Sequence, residues 1–272
     1  MSVAQIPADM AADAAMVAVF EKLSLAAGSA IMRIFHEGCA VDAKADASPV
    51  TEADRQAERI ILAGLREIYP HIPCVAEEEA SAGILPVSLG EAFFLIDPLD
   101  GTKEFVKRGN DFTVNIALVR QGVPEVGVVF APCSGKLYSG WPGRAEAADV
   151  DASLGVVARR AITTRIAVSP LAVVASRSHR TVETDDYIAT LGQTEIVSIG
   201  SSLKFCLLAE AVADIYPRFG RTMEWDTAAG DAVLRAAGGS TSTLDGAPLT
   251  YGKRNQAHDA DFANPFFIAK GR

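Results

Sequence analysis

The chain has 272 residues, of which 49% are apolar, with a formal net charge of −9 and a sequence pI near 5.0. This length and apolar fraction suffice for one large core, or for two smaller cores that share an interface, and they exclude a disordered chain. The acidic balance excludes a binding surface for polymeric nucleic acid, which needs many clustered Lys and Arg side chains. An anionic substrate would have to be bound at one local site, by a few cationic side chains or by metal ions.

The N-terminus, MSVAQIPADM, has no Lys or Arg before an apolar run, so no secretory signal is expected. No window approaches the roughly 18 apolar residues of a membrane span, and no transmembrane segment is expected. The cysteines form no CxxC pair, which favours buried thiols over disulfides or a zinc site; they are Cys39, Cys74, Cys133 and Cys206. We expect a cytoplasmic monomer or homodimer, with peripheral contact to the inner membrane left open.

Two helices are predicted in the first quarter of the chain. From residue 8 to about 35, apolar residues recur at three- and four-residue spacing, as in a long amphipathic helix; they include Met16, Val19, Phe20, Leu23 and Ala27. A second helix is predicted from about residue 51 to 69, where Ile60, Ile61 and Leu65 face inward and Pro70 ends the helix.

Short apolar runs with strand character follow, at residues 93–96, 113–119 and 126–130. Residues 140 to about 164 are rich in Ala, Gly, Asp and Arg and lack firm periodicity, so we interpret them as a peripheral excursion and a domain boundary. Strand and helix patterns then alternate: LAVVAS, TVETDDYIATL, EIVSI and a helix over residues 202–211. This alternation favours an α/β arrangement. A last helix is predicted over residues 225–237, with Asp226 near its start.

Acidic residues end several of these apolar runs. The strand at residues 93–96 leads into Asp97-Pro98-Leu99-Asp100-Gly101-Thr102, which places two carboxylates at the edge of a core. Their mutual repulsion is offset if a divalent cation lies between them, and hard cations such as magnesium prefer oxygen ligands. Gly101 and Thr102 would open a helical turn whose unpaired amides can hold phosphate. The alternative is a structural turn with a helix cap.

Two further acidic segments have the same character. Glu77-Glu78-Glu79 follows the apolar residues 72–76, and Asp226 follows Trp225. Taken singly, the first would be a solvated acidic loop and the second an ordinary helix cap. Three such segments in one chain with few histidines indicate a site for more than one metal ion, built from oxygen ligands.

Together these segments resemble the inositol monophosphatase-like superfamily of metal-dependent, lithium-sensitive phosphatases. The resemblance rests on residues 48–54 (SPVTEAD), Glu77-Glu78, residues 97–104 (DPLDGTKE) and residues 225–230 (WDTAAG). It implies a layered αβαβα sandwich of α+β or α/β class. Residues 1–160 would form an N-terminal α+β subdomain carrying the metal-site loops. Residues 161–272 would form a C-terminal α/β subdomain carrying the nucleotide contacts and Asp226.

Other strings look like the bacterial 3′(2′),5′-bisphosphate nucleotidase branch: residues 97–105, 176–179 (SRSH), 199–206 (IGSSLKFC) and 216–220 (YPRFG). That branch converts 3′-phosphoadenosine 5′-phosphate to AMP and phosphate. The resemblance therefore implies a small bisphosphorylated nucleotide as substrate and a role in sulfur metabolism. Ala76 and Glu79 stand where the branch commonly has Ser or Gly and Asp, and neither change removes a ligand.

Carried over residue by residue, the family's roles fall on three groups of positions. Ligands for two or three Mg²⁺ ions fall on Glu77, Asp97, the main-chain carbonyl of Leu99, Asp100 and Asp226. The water-activating pair falls on Asp54 and Thr102. The Gly101 and Thr102 amides would hold the scissile phosphate, and the nucleotide contacts fall on His179, Gly200, Ser201, Lys204 and Arg218.

Alternatives remain for several of these roles. His179 has the alternative of a loop histidine, and Lys204 and Arg218 that of solvated cations. The same chemistry would also suit inositol monophosphate or a sugar bisphosphate such as fructose 1,6-bisphosphate. A catalytically silent nucleotide sensor on the same fold is the alternative from a different class.

Overall fold

The computed structural model describes residues 8–38, 40–43, 49–176 and 181–272. Its helices are α1 (Ala8–Glu37), α2 (Glu52–Ile68), α3 (Glu77–Ser81), α4 (Thr102–Val106), α5 (Val182–Thr190), α6 (Leu203–Ala209) and α7 (Ala228–Ala236). Its strands are β1 (Val41–Ala43), β2 (Pro49–Thr51), β3 (Cys74–Ala76), β4 (Ala92–Asp100), β5 (Thr113–Arg120), β6 (Val123–Ala131), β7 (Lys136–Trp141), β8 (Arg144–Val150), β9 (Val156–Ala161), β10 (Leu171–Ser176), β11 (Thr194–Ile199), β12 (Ile215–Arg218), β13 (Ser240–Thr243) and β14 (Phe267–Lys270).

Two large sheets organise the chain. Strands β3 to β9 form a seven-stranded sheet in sequence order, in which β3 and β4 are parallel and the later neighbours are antiparallel. The second sheet has the order β11-β10-β12-β14-β13. Its first three strands are parallel, whereas β14 runs antiparallel to both β12 and β13. The α/β alternation predicted for the second half therefore holds for part of a mixed sheet.

The helices and sheets stack in layers. Helices α1 and α2 lie on one face of the seven-stranded sheet, α6 and α7 lie between the two sheets, and α5 contacts β12 from the outer side. The buried apolar residues accordingly form separate clusters in the spaces between layers, because each sheet face must be covered by another element. This is a layered αβαβα sandwich, and the predicted fold class is confirmed.

The local sequence explains where α2 begins. Thr51 Oγ1 accepts a hydrogen bond from the Ala53 amide, and Asp54 Oδ2 accepts one from the Thr51 amide at 2.8 Å. This reciprocal capping box satisfies two amides that the first helical turn leaves unpaired. The helix predicted over residues 51–69 is thereby confirmed to within one residue at each end. Its start also determines the position of Asp54.

The helix predicted from residue 225 begins later, at Ala228. The preceding residues form a turn instead, in which the Met223 amide donates to Asp226 Oδ2 at 2.8 Å and the Thr227 amide donates to Glu224 O at 3.2 Å. Asp226 therefore lies in the turn before the helix, where its carboxylate is bonded to the backbone.

The interpretation of residues 140–164 as an irregular excursion is wrong. The end of β7 and the whole of β8 and β9 lie in this segment and extend the seven-stranded sheet. Ala145 and Ala147 pack in one core cluster and Ala148 in another, so both faces of β8 are buried under small side chains. Strands covered on both faces lack the apolar–polar alternation that marks a half-buried strand. The division into subdomains near residue 160 stays a prediction.

Helix α1 also corrects one expectation. Between Ala11 and Glu37 it contains an 18-residue window of mean hydropathy 1.5, long and apolar enough by composition to cross a membrane. The prediction that no window approaches a membrane span is wrong for this helix. In the fold, however, α1 contacts α2, β5, β6 and β7, and Phe20, Ala27 and Ile31 are fully buried. These contacts are those of a core helix.

Candidate functional site

The site is built where β4 leaves the sheet. The ladder between β4 and β5 is regular as far as the Asp97–Asn115 pair, and its register shifts between Asp97 and Asp100. The Leu99 amide donates to Asp97 Oδ1 at 3.0 Å, which closes the turn around Pro98. Gly101 follows with φ +97°, and a Cβ at that position would lie 2.9 Å from the Asp111 carbonyl oxygen. Glycine is therefore required where the chain turns directly into α4.

Two other segments bring acids to the same place. Strand β3 runs parallel to β4, with Ala76 beside Ile96, so Glu77 and Asp97 leave the sheet at the same edge. Asp226 reaches the site from the turn before α7, a helix that lies on β5, β6 and β7. The convergence of Glu77, Asp97 and Asp226 thus depends on parallel strand pairing and on helix packing across the sheet.

These carboxylates raise one another's pKa values. Burial raises the pKa of Asp97 well above its ordinary value, and the charges of Glu77 and Asp100 raise it further. Burial likewise raises the pKa of Asp226 to about 8, again with contributions from Asp100 and Glu77. Without a counter-charge, the cluster resists full ionisation at neutral pH. A bound cation would reverse that preference.

The donor set fits a hard divalent cation. Among the residues that the structure describes, no three His, Cys, Asp or Glu side chains already form a closed ligand cluster. The converging groups are nevertheless all carboxylates, and oxygen ligands of this kind suit Mg²⁺. The Leu99 carbonyl lies 3.2 Å from Thr102 Oγ1, and its role as a ligand stays a prediction. Cys74, Cys133 and Cys206 are free thiols that do not line the cavity beside these acids, and Cys39 lies outside the described residues.

The predicted pair of Asp54 and Thr102 is in direct contact. Thr102 Oγ1 donates to Asp54 Oδ1 at 2.9 Å and also lies 3.2 Å from the Leu99 carbonyl oxygen. Asp54 is fully buried, and its other oxygen accepts hydrogen bonds from the Thr51 amide and hydroxyl at 2.8 and 2.7 Å. The capping box of α2 therefore holds the carboxylate that faces Thr102.

A cavity of about 260 Å³ lies beside the acids. Most of the predicted site residues line it: Glu77, Asp100, Gly101, Thr102, Gly200, Ser201, Lys204, Arg218 and Asp226. Asp54, Asp97 and Leu99 are buried behind this wall. His179 lies outside the described residues. The structure thus brings the described members of the predicted set to one place, and their individual roles stay predictions.

Two buried cations face the same cavity. Lys204 is 6% exposed, donates to the Ser201 carbonyl at 2.6 Å and lies over the Tyr216 ring. Arg218 is 9% exposed and donates to the Gly220 and Arg221 carbonyls at 3.1 and 3.0 Å. Burial lowers the pKa of Lys204 to about 8; Asp100 opposes this effect and Arg218 adds to it. Cations buried in a cavity wall suit an anionic ligand better than surface solvation.

Gly200 and Ser201 hold unusual positions in the wall. A Cβ at Gly200 would lie 2.7 Å from the Asp111 Cβ, and the Gly200 amide donates to Asp111 Oδ2 at 3.0 Å. Ser201 has φ +56°, a left-handed conformation that is uncommon for serine and often marks a functional segment. Its hydroxyl donates to Asp100 Oδ2 at 2.7 Å. The cavity wall at Ser201 is therefore hydrogen-bonded to the acidic cluster.

Several lining residues carried no predicted role. Four of them lie within the family-like sequence strings given above, so adjacency was a usable signal; they are Ser202, Phe205, Tyr216 and Thr227. Lys103 and Glu104 follow the Gly101-Thr102 turn directly. For Arg221 and Thr222 the sequence offered no signal, because their place in the wall depends on tertiary packing.

Comparison with known proteins agrees with this fold. The model of the inositol monophosphatase family matches residues 13–269. The 3′(2′),5′-bisphosphate nucleotidase CysQ of Escherichia coli O157:H7 is 46% identical over 248 residues, which cover 90% of this chain and 96% of that protein.

Two solved structures extend the comparison. CysQ from Bacteroides thetaiotaomicron, a bacterial member of the inositol monophosphatase family, aligns with a TM-score of 0.76 and 38% identity, covering 94% of this chain and 97% of that chain. Inositol monophosphatase from Anabaena aligns with a TM-score of 0.69 and 25% identity, covering 94% and 90%. The chain therefore belongs to the inositol monophosphatase family.

Proposed function

We propose that the chain is a Mg²⁺-dependent phosphomonoesterase that hydrolyses the 3′-phosphate of 3′-phosphoadenosine 5′-phosphate to AMP and phosphate. The observation that carries this proposal is the 2.9 Å hydrogen bond from Thr102 to Asp54. Thr102 lies in the wall of a cavity that is lined by carboxylates and also by buried cations. The activity named for the CysQ relatives supports the choice of a bisphosphorylated nucleotide.

The proposed metal ligands are Glu77, Asp97, the Leu99 carbonyl, Asp100 and Asp226, for two or three ions. When bound, Mg²⁺ would supply the Lewis acidity that lowers the pKa of an attacking water and stabilises the leaving oxygen. Thr102 has one hydroxyl proton, and the Asp54 carboxylate is its nearer and stronger acceptor. The Thr102 oxygen can then accept a hydrogen bond from the water. Help of this kind typically contributes about 10²- to 10⁴-fold in rate.

In the proposed reaction, the water oxygen bonds to the 3′-phosphorus as the bond from phosphorus to O3′ breaks. The amides of Gly101 and Thr102 would hold the scissile phosphate during this step, since Gly101 is the N-cap of α4 and Thr102 its first residue. Lys204 and Arg218 would hold the second, non-reacting phosphate. Because backbone amides hold one phosphate and buried cations hold the other, a chain of net charge −9 can bind an anionic substrate.

A panel of substrates tests the proposal. Phosphate release would be compared in Mg²⁺ for 3′-phosphoadenosine 5′-phosphate, adenosine 3′-monophosphate, inositol 1-phosphate and fructose 1,6-bisphosphate. We expect the bisphosphorylated nucleotide to have the highest kcat/KM, and chelation by EDTA to abolish turnover until Mg²⁺ is restored. Adenosine 3′-monophosphate is the matched control, because it lacks only the second phosphate.

The variant Arg218→Met tests the assignment of the second phosphate to Arg218. It should lower kcat/KM for the bisphosphate and leave that for adenosine 3′-monophosphate nearly unchanged, since only the former carries the phosphate assigned to Arg218. Equal or faster hydrolysis of inositol 1-phosphate would contradict the substrate assignment. Tight nucleotide binding without turnover of any substrate would instead support a sensor.

A further inference from the structure

A row of hydrogen-bonding side chains runs inward from Asp100, away from the cavity. Ser201 Oγ contacts Asp100 Oδ2 at 2.7 Å, and Thr113 Oγ1 contacts Ser201 Oγ. Thr113 Oγ1 also lies 3.2 Å from Asn115 Oδ1. Thr113 and Asn115 are two residues apart on β5, so they share a face, and both are fully buried. None of the roles assigned above uses either residue.

In its present orientation, the side-chain amide of Asn115 has an unsatisfied donor. Its Nδ2 atom is buried and has no hydrogen-bond partner among the described residues. A buried NH₂ group carries two protons, and leaving such a donor unpaired costs about 1–3 kcal/mol. Native structures rarely accept that cost without a reason.

The hydroxyl groups in the same row make more contacts than they have protons to donate. Ser202 Oγ contacts the Asp226 carbonyl at 2.6 Å and Asp100 Oδ2 at 3.1 Å. Together with the contacts of Ser201 and Thr113, this makes more contacts than the three hydroxyl protons can serve. If Thr113 donates to Asn115 Oδ1 and Ser201 donates to Asp100, no proton remains for the contact between Thr113 and Ser201.

Reversing the Asn115 amide removes this conflict. The two ends of a carboxamide have nearly the same shape, so hydrogen bonding decides the orientation. With Nδ2 facing Thr113, Asn115 donates to Thr113, Thr113 to Ser201 and Ser201 to Asp100. Ser202 then donates its one hydroxyl proton to the nearer acceptor, the Asp226 carbonyl. One Nδ2 proton then has an acceptor, and the atom left with no partner is the carbonyl oxygen, which buried sites leave unpaired more readily than an N–H.

We infer that Asn115 and Thr113 are positioning residues, which fix the Ser201 hydroxyl as a donor to Asp100 through a one-way row of hydrogen bonds. Partners behind a metal ligand orient it, and losing one typically lowers metal affinity about 10- to 100-fold. The consequence at Asp100 rests on the proposed function, because it assumes a divalent cation there. The direction of the row does not depend on that assumption.

The test compares Thr113→Val, which removes the hydroxyl at nearly constant volume, with Thr113→Ser, which keeps it. One readout is the NMR signal of the Asn115 side-chain NH₂ group in protein labelled with ¹⁵N-asparagine. The other is binding of Mn²⁺, an oxygen-preferring substitute for Mg²⁺, followed by the EPR signal of the free ion. Thr241→Val is the matched control, because buried Thr241 donates to the buried Asp231 carboxylate at 2.7 Å outside the cavity wall.

In Thr113→Val we expect the Asn115 amide protons to lose their acceptor and move upfield, and Mn²⁺ affinity to fall about 10-fold. Thr113→Ser should restore both readouts, whereas Thr241→Val should lose stability without losing Mn²⁺ affinity. An unchanged Asn115 signal in Thr113→Val would overturn the inference, and so would equal losses of Mn²⁺ affinity in Thr113→Val and Thr113→Ser. If the unmodified protein bound no divalent cation, the proposed function would fail, while the Asn115 signal would still decide the direction of the row.

Discussion

Glu58 lies one helical turn after Asp54 on α2 and joins that helix to α3, the short helix that begins at Glu77. It is 5% exposed, and its oxygens accept hydrogen bonds from the Glu78 and Glu79 amides at 2.8 and 2.9 Å. Burial raises the pKa of Glu58 from 4.5 to about 7, because the two amide bonds offset only part of the cost of removing its charge from water. Folding stability should therefore depend on the protonation of this side chain.

The sign follows from proton binding. Between pH 4.5 and about 7 the folded state holds a proton on Glu58 that the unfolded state has lost, so stability is present at low pH and falls as pH rises through this window. At 1.36 kcal/mol per pKa unit, the full effect is about 3 kcal/mol. Glu58→Gln keeps the size of the side chain and one acceptor oxygen, but it does not titrate.

The assay is urea unfolding of the wild type and Glu58→Gln at several pH values from about 4.5 to 8. We expect the variant's free energy of unfolding, relative to that of the wild type, to rise by up to about 3 kcal/mol across this range. Subtracting the two curves removes the titration of all other groups. Glu52→Gln, at an exposed position on the same helix, is the control. A difference for Glu58→Gln that stays constant with pH would refute the reasoning.

Two further predictions concern turnover. Thr102→Val should lower kcat about 10²- to 10⁴-fold with an unchanged circular dichroism spectrum, whereas Thr102→Ser keeps the hydroxyl that Asp54 orients and should retain most activity. Equal activity of both variants would contradict this role. Because burial lowers the pKa of Lys204 to about 8, kcat/KM for the bisphosphate should fall above that pH as the side chain loses its positive charge. Lys204→Met should have a low kcat/KM without this decline; a decline that persists in the variant must come from another group.

Much of the fold could be predicted locally. The apolar spacing predicted α1 and α2, and the apolar runs predicted β4, β5 and β6, because these elements carry their periodicity within a single segment. The short strands β1 to β3 and β12 to β14 were not identified. Strands of three or four residues are too short to show an alternation, and β8 is buried on both faces, so neither kind of strand shows a clear pattern of its own.

The site divides in a similar way. The acids at residues 77, 97, 100 and 226 could be selected from sequence because each ends an apolar or structured run, and the family resemblance supplied Asp54 and Thr102. Glu58, Thr113 and Asn115 could not be selected. Glu58 acts through the Glu78 amide and Thr113 through Ser201, residues far away in the chain, and Asn115 acts only through Thr113.

The order of residues along the chain supplies the chemical groups of the site: hard oxygen donors, a glycine where the chain must turn tightly, and Lys and Arg side chains in a chain that is acidic overall. Folding brings these groups to one cavity, through the parallel pairing of β3 with β4 and the packing of α7 across the sheet, because both contacts join segments far apart in the chain. It also decided their energetics. The raised pKa values of Asp97 and Asp226 and the lowered pKa of Lys204 arise from burial and from neighbouring charges, which no single segment of the chain can specify.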